Sequence, residues 1–131
     1  MRLKLIDTVF AVCKFPPRTK IPIWALHAEL FFIARTSDEL SIMCPSSSIP
    51  PGLELIEVER SDGWRCFRVD GDLEFEQVGV VATVSAPIAK AGMSLFLVST
   101  HDRDYVLVHQ DNLERAVDIY KKYGFSVELS M

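Results

Sequence analysis

The sequence predicts an α+β fold of two tandem βαββαβ units, whose antiparallel sheets pair side by side. Residues 63–131 alternate strand-like and helix-like segments in that order. Residues 1–62 repeat the order with both helices shortened, and the turn-forming run Ser61-Asp62-Gly63 separates the halves. We therefore expect an N-terminal unit at residues 1–62 and a C-terminal unit at residues 63–131, each ferredoxin-like with its helices on one sheet face.

Proline-rich connections distinguish the first half. Residues 16–26 contain three prolines, so a helix there is limited to one or two turns beginning near Pro22. Pro50-Pro51 likewise limits residues 45–53 to one helical turn. Ser37-Asp38 is typical of a tight hairpin turn. Runs of β-branched, aromatic or alternating residues predict strands at residues 7–15, 29–36, 39–44 and 54–60.

The second half is more regular. Apolar residues at helical spacing predict a first helix over residues 76–91, kinked at Pro87 and ended by Gly92. A second helix begins at Asp111, an expected N-cap, and ends at Gly124. Strands are predicted at residues 64–69, 94–100, 105–109 and 125–129.

Composition excludes several classes of function. The net charge of −4 is unfavourable for a nucleic-acid partner, because such proteins gather Lys and Arg against phosphates. No apolar run approaches the roughly 18 residues of a membrane helix. The N-terminal run MRLKLIDTVF lacks the features of a signal peptide, so a cytoplasmic protein without a membrane partner is expected.

No residue pattern indicates catalysis. The three histidines are too dispersed for a metal motif, and the phosphate- and dinucleotide-binding glycine motifs are missing, so we predict no metal, cofactor or enzyme activity. Nothing singles out a cysteine as a nucleophile. Cys13, Cys44 and Cys66 lack metal or disulfide spacing, and we interpret them as buried reduced thiols.

Several runs carry a resemblance to a known family: Ala34–Pro45 (ARTSDELSIMCP), Gly63–Gly71 (GWRCFRVDG), Gly79–Val108 and Leu113–Ala116 (LERA). They resemble small tandem ACT-domain proteins of the CASTOR-like ACT family and, more distantly, the regulatory ACT pairs of aspartate kinases. The resemblance covers nearly the whole chain from about Asp7 onward. It implies a regulatory, non-enzymatic module that binds an amino acid at an interface between two units.

The resemblance also implies a ligand site, formed by the start of a unit's first helix and the turn after its second strand. The matching residues here are Gln77, Gly79, Val80, Thr100, His101 and Asp104. Gln77 departs from the pattern, since an acid is expected at that position in an arginine binder.

The same positions have a chemical rationale of their own. Gly79 near a helix start leaves backbone N–H groups open to a carboxylate. Asp102 and Asp104 could receive an ammonium or guanidinium group through charge-assisted hydrogen bonds. The alternatives are that Gly79 allows close helix–strand packing and that the acids are hydrated turn residues. Hydration is favoured for Asp102, whereas both interpretations stay open for Gly79 and Asp104.

We therefore expect a small-molecule binding regulatory module, with an amino acid as the ligand, that acts through a partner or its own homodimer. The alternative is a structural or protein-interaction protein that keeps the ACT-like fold without a ligand.

Overall fold

In the computed structural model, the described residues are 1–53, 58–71 and 79–130. They form seven β-strands: β1 (Arg2–Phe15), β2 (Phe32–Arg35), β3 (Leu40–Pro45), β4 (Glu59–Asp70), β5 (Leu95–Ser99), β6 (Asp104–His109) and β7 (Ser126–Ser130). Two α-helices are α1 (Val80–Lys90) and α2 (Leu113–Lys122), and single 3₁₀ turns occupy Ile23–Leu26, Ser46–Ser48 and Gln110–Asn112.

The chain divides into two compact units that are not consecutive in sequence. Val9–Trp64 form the first, here called the strand unit. Met1–Thr8 join Arg65–Met131 in the second, here called the helical unit. The predicted division into residues 1–62 and 63–131 stays a prediction.

The strand unit contains the sheet order β2-β3-β1-β4. β1 pairs antiparallel with β3, from Phe10↔Pro45 to Phe15↔Leu40, and β2 closes the predicted hairpin with β3. Its core is apolar and includes two of the cysteines. The buried members are Ala11, Cys13, Phe15, Ala25, Leu40, Ile42, Cys44, Ile49 and Leu53.

In the described part of the strand unit, the segments expected to hold short helices contain 3₁₀ turns at Ile23–Leu26 and Ser46–Ser48. This confirms the effect expected of the prolines, which lack a backbone N–H and clash with the preceding helical turn. The strand predicted at residues 54–60 lies partly outside the described residues; its described end belongs to β4.

The turn predicted at Ser61-Asp62-Gly63 is wrong, because these residues lie inside the 12-residue strand β4. Gly63 has φ +83°, a conformation that only glycine adopts easily. Such a glycine inside a strand is typical of a local irregularity such as a bulge, and here the chain does not reverse.

The helical unit contains the sheet order β7-β1-β4-β6-β5. Its sequence order from β4 onward is βαββαβ, as predicted for the second half. The prediction missed the N-terminal residues: β1 begins at Arg2, and Arg2–Ile6 pair in parallel with β7 (Arg2↔Ser126 to Ile6↔Ser130). An additional strand therefore lies between β4 and β7, and the sheet is not purely antiparallel.

α1 and α2 contact each other and pack on one face of this sheet, α1 against β5 and β6, α2 against β6 and β7. Tyr120 of α2 is fully buried, lies edge-on to Phe67 with ring centroids 5.6 Å apart, and donates its hydroxyl to the Val84 carbonyl oxygen at 2.6 Å. The core comprises Leu3, Phe67, Val69, Val80, Val84, Ile88, Met93, Val106, Val108, Ala116, Tyr120 and Phe125.

The helix ends follow the glycines, while one predicted start is corrected. After α1, Gly92 (φ +78°) donates to Ala89 and Met93 to Ile88, the Schellman pattern expected at such a glycine. The predicted N-cap role of Asp111 is wrong. A 3₁₀ turn precedes α2, so Asn112 occupies the N-cap position, and the Asp111 N–H donates instead to the His109 ring at 3.2 Å.

Candidate functional site

A cavity of about 600 Å³ opens in the helical unit, at the end of the sheet where β4 and β5 finish and β6 and α1 begin. Such a volume lies within the range of small-molecule sites. It is lined by Met1, Val69, Gly71, Val80, Val81, Ser99, Thr100, His101, Asp102, Arg103 and Asp104.

One wall of the cavity is the start of α1. Gly79 occupies the N-cap position with φ +87°, and no described side chain caps the helix. The first turn contains no acidic residue, and Val80 and Val81 line the cavity. The first N–H groups of a helix have no partner within the helix and carry its positive dipole end. This wall is therefore suited to a carboxylate.

Another wall is the turn between β5 and β6. Thr100 closes it: its N–H donates to the Arg103 carbonyl at 2.8 Å, and its hydroxyl accepts from the Arg103 N–H at 3.2 Å. Ser99 and Asp104 pair across the hairpin and therefore share a sheet face, and the Ser99 hydroxyl donates to the Asp104 carboxylate. Asp104 is half-buried and is one of the lining residues, and a carboxylate can accept from an ammonium group.

His101 and Asp102 lie at the tip of the same turn. Their side chains are 99% and 84% exposed, although the His101 Nδ1 lies 2.7 Å from an Asp102 carboxylate oxygen. Ion pairs this exposed contribute little, because water screens them. The expected hydration of Asp102 agrees with this exposure.

Asp70, at the end of β4, is the one buried charged side chain in the described ranges. Arg68 donates to both carboxylate oxygens at 2.9 and 3.0 Å, Arg103 donates a further hydrogen bond, and the Lys4 Nζ is 3.9 Å away. Burial alone would raise the pKa of Asp70, but the hydrogen bond from Arg68 and the surrounding positive charges hold that pKa below its usual range.

Of the six predicted site residues, four line the cavity: Val80, Thr100, His101 and Asp104. Gly79 directly precedes the cavity wall without lining it, and Gln77 lies outside the described residues. Ser99 and Arg103 were missed as wall residues, and Asp70, which does not line the cavity, was missed as the partner of Arg103. The available signal was the spacing Arg68-x-Asp70, which puts both side chains on one face of a strand.

The three cysteines lie inside the protein. Cys13, Cys44 and Cys66 are free and buried, which confirms the prediction for them. Burial raises the pKa of Cys44 to about 11 and that of Cys66 to about 12, so both thiols stay protonated near neutral pH. Within residues 1–53, 58–71 and 79–130, no group of three or more His, Cys, Asp or Glu could hold a metal ion.

Comparisons of sequence and structure show which known proteins this chain resembles. An ACT domain family model matches residues 59–121, and a second model, of an N-terminal domain, matches residues 8–52. A crystal structure of an Agobacterium tumefaciens protein is 33% identical, with a TM-score of 0.89 over 99% of this chain and 93% of that one. Residues 59–121 of this chain therefore resemble an ACT domain. The chain belongs to the same family as this Agobacterium tumefaciens protein.

Two further relatives are more distant. The cytosolic arginine sensor for mTORC1 subunit 1 of Rattus norvegicus is 28% identical over 127 residues, 90% of this chain. The chain spans 37% of the length of that relative. The regulatory subunit of aspartate kinase from Thermus thermophilus shares the fold, with a TM-score of 0.59 at 12% identity over 88% of this chain and 93% of that one. None of the described helices is long and apolar enough to cross a membrane.

Proposed function

We propose that this protein is a regulatory module that binds a free α-amino acid in the cavity at the start of α1. The observation that carries the proposal is a cavity of about 600 Å³ that is lined both by the start of α1 and by the turn that contains Asp104. The ACT domain and the arginine-sensing name of the rat relative support an amino acid as the ligand.

In this proposal, the ligand carboxylate accepts hydrogen bonds from the first N–H groups of α1 at Val80 and Val81, where the helix dipole favours negative charge. The ligand ammonium donates to the Asp104 carboxylate, which the Ser99 hydroxyl orients. The ligand side chain then lies along the turn at Thr100 and His101. Gln77 and Gly79, on the approach to α1, complete the proposed site.

The role is regulatory and non-catalytic, exerted through a partner or through a homodimer of this chain in the cytoplasm. The name of the rat relative places that protein in the cytosol, which supports the compartment. Sedimentation at micromolar concentration tests the dimer, and a monomer there would contradict it.

The direct test is a thermal-shift screen of the purified protein against each of the twenty common L-amino acids. A ligand at a hundred times its Kd stabilises the folded state by about 2.7 kcal/mol, which raises the melting temperature measurably. For an amino acid that shifts the melting temperature, its methyl ester and its N-acetyl derivative test the two walls separately. Both derivatives should fail to stabilise the protein, since each removes one charge that the cavity recognises.

Asp104→Asn tests the site itself. Loss of the carboxylate should weaken binding at least about tenfold, because a charge-assisted hydrogen bond to the ligand ammonium is lost. Asp118→Asn, on the exposed surface of α2, removes the same charge away from the cavity and is the matched control. Equal affinities for the two variants in calorimetry would refute the site.

A second candidate is an interaction protein without a ligand. An apolar groove of about 370 Å³ lies on the helical unit beside Tyr123, which is 57% exposed. Exposed apolar surface of this kind often marks a protein contact. A screen in which no amino acid raises the melting temperature would favour this candidate.

A further inference from the structure

The carboxylate of Asp70 joins two walls of the cavity. It is 7% exposed, and it accepts hydrogen bonds from Arg68 on its own strand and from Arg103 in the turn between β5 and β6. Arg103 is 33 residues away in sequence. A buried carboxylate is tolerated only when it is paired and hydrogen-bonded, so this contact is a strong constraint on where the turn can lie.

The hydrogen bonds within this turn are local. Thr100 bonds to Arg103 through backbone and side chain, Ser99 bonds to Asp104, and His101 contacts Asp102. These bonds define the shape of the turn, and the pairing of β6 with β4 holds its base in the sheet. The contact between Arg103 and Asp70 additionally fastens the turn itself to the end of β4.

Asp70 itself does not line the cavity, although its neighbours Val69 and Gly71 do. A substitution at Asp70 therefore leaves the ligand's own contacts in place. Any effect on binding has to pass through the position of the turn that carries Thr100 and Asp104.

The same strand contains a natural comparison. Arg60 donates to both carboxylate oxygens of Asp62 at 2.8 and 2.9 Å, the same two-residue spacing and nearly the same distances as Arg68 and Asp70. Asp62 belongs to the strand unit, has a side chain 49% exposed, and accepts its long-range hydrogen bond from Ser46, at 3.3 Å. Asp62 therefore forms the same local ion pair as Asp70, but it is exposed and does not adjoin the cavity.

We propose that Asp70 is a positioning residue. Through its hydrogen bond with Arg103, it holds the cavity wall formed by Thr100–Asp104 at binding distance from α1. The effect of Asp70 on ligand affinity rests on the proposed function, whereas its effect on the position of the turn does not. When the carboxylate is replaced by a neutral amide, the like charges of Lys4, Arg68 and Arg103 lose the negative charge between them, and Arg103 moves away. The turn then samples more open positions.

The first experiment needs no ligand. Amide hydrogen exchange is measured by NMR on the full chain for wild type, Asp70→Asn, Arg103→Met and the double variant. Asp70→Asn should accelerate exchange of the hydrogen-bonded Thr100 and Arg103 amides by about tenfold or more, since a hydrogen bond to a charged group is lost. Asp62→Asn, the matched control, should leave these amides within about twofold of wild type.

The double variant distinguishes positioning from a general loss of stability. If Asp70 acts through Arg103, Asp70→Asn has no further effect on these amides once Arg103→Met is present. Additive acceleration in the double variant, or unchanged exchange in Asp70→Asn, would overturn the proposal. If Asp70→Asn fails to fold, the exchange data for Arg103→Met test the proposal by themselves, because that variant leaves Asp70 paired with Arg68. Exchange of the Thr100 amide at the wild-type rate in Arg103→Met would then overturn the proposal.

The second experiment adds an equimolar mixture of the twenty common L-amino acids and records the shift in melting temperature. Wild type and Asp62→Asn should shift alike, and Asp70→Asn should lose most of the shift. A full shift in Asp70→Asn despite a loosened turn would overturn the role of Asp70 in binding. No shift in wild type would reject the proposed function, and the exchange data would still decide whether Asp70 holds the turn.

Discussion

The strand unit and the helical unit present their elements in the same order, but they use the connecting segments differently. Pro16, Pro17 and Pro22 in one connection, and Pro50-Pro51 in the other, leave the strand unit with 3₁₀ turns in its described part. The corresponding segments of the helical unit form α1 and α2, of 11 and 10 residues.

This difference explains where the cavity lies. An α-helix presents several unpaired N–H groups and a dipole at its start, whereas one 3₁₀ turn presents neither to a useful extent. The comparison teaches that the described parts of both units share the order of their strands, and that a full helix start lies beside the cavity in the helical unit, where we propose the binding site.

The largest effect that tests this comparison is expected from Tyr120→Ala. Tyr120 fastens α2 to α1 through the Val84 carbonyl and packs against Phe67 and Phe125, with the Phe125 ring centroid 5.1 Å away. Removing a buried aromatic ring should lower the free energy of unfolding by about 3–5 kcal/mol in urea denaturation. Tyr120→Phe, which loses only the hydrogen bond, should cost about 0.5–1.5 kcal/mol. Equal losses of unfolding free energy in Tyr120→Ala and Tyr120→Phe would show that packing of the two helices does not distinguish the helical unit from the strand unit.

An intermediate effect is expected from the two Arg-x-Asp pairs of β4. Asp70→Asn should lower the free energy of unfolding by about 1–3 kcal/mol at pH 7, since buried hydrogen bonds to a charge are lost. Asp62→Asn should cost about 1 kcal/mol or less, because its pair is exposed.

The contribution of Asp70 also depends on pH. Its folded pKa lies below the ordinary value of 3.8, so the stability it provides is present above that value and is lost as the pH falls through the lower folded pKa. The difference in unfolding free energy between wild type and Asp70→Asn should therefore shrink below about pH 4. A difference that is constant from pH 7 to pH 2 would contradict the ion-pair explanation.

The smallest effect is expected from two matched glycines. Gly79 (φ +87°) in the helical unit and Gly52 (φ +92°) in the strand unit are both left-handed, and an added Cβ would meet nothing within 4 Å at either. Alanine at each should lower the free energy of unfolding by about 1 kcal/mol through backbone strain alone. Amino-acid binding should change only in Gly79→Ala, since Gly79 sets the start of α1. Equal binding changes in both variants would remove the distinction between the units.

Much of the site was accessible from local sequence. The helix start near Gly79 and the turn holding Thr100, His101 and Asp104 follow from short-range patterns and from the family resemblance, and the fold brings Val80 and these turn residues to one cavity. No role was predicted from the sequence for Arg103 or Asp70. Their contact joins residues far apart in the chain, so no local pattern reports it.

The sequence by itself determined the order of strands and helices in the second half, because side-chain periodicity and glycine stops act within a few residues. It also determined that prolines would shorten the helices of the first half. Only the tertiary structure decided that Arg2–Ile6 insert between β4 and β7, and that Asp70 meets Arg103. Alternation along a strand specifies which face is buried but not which strand lies beside it, so these pairings depend on contacts that form only when distant segments fold together.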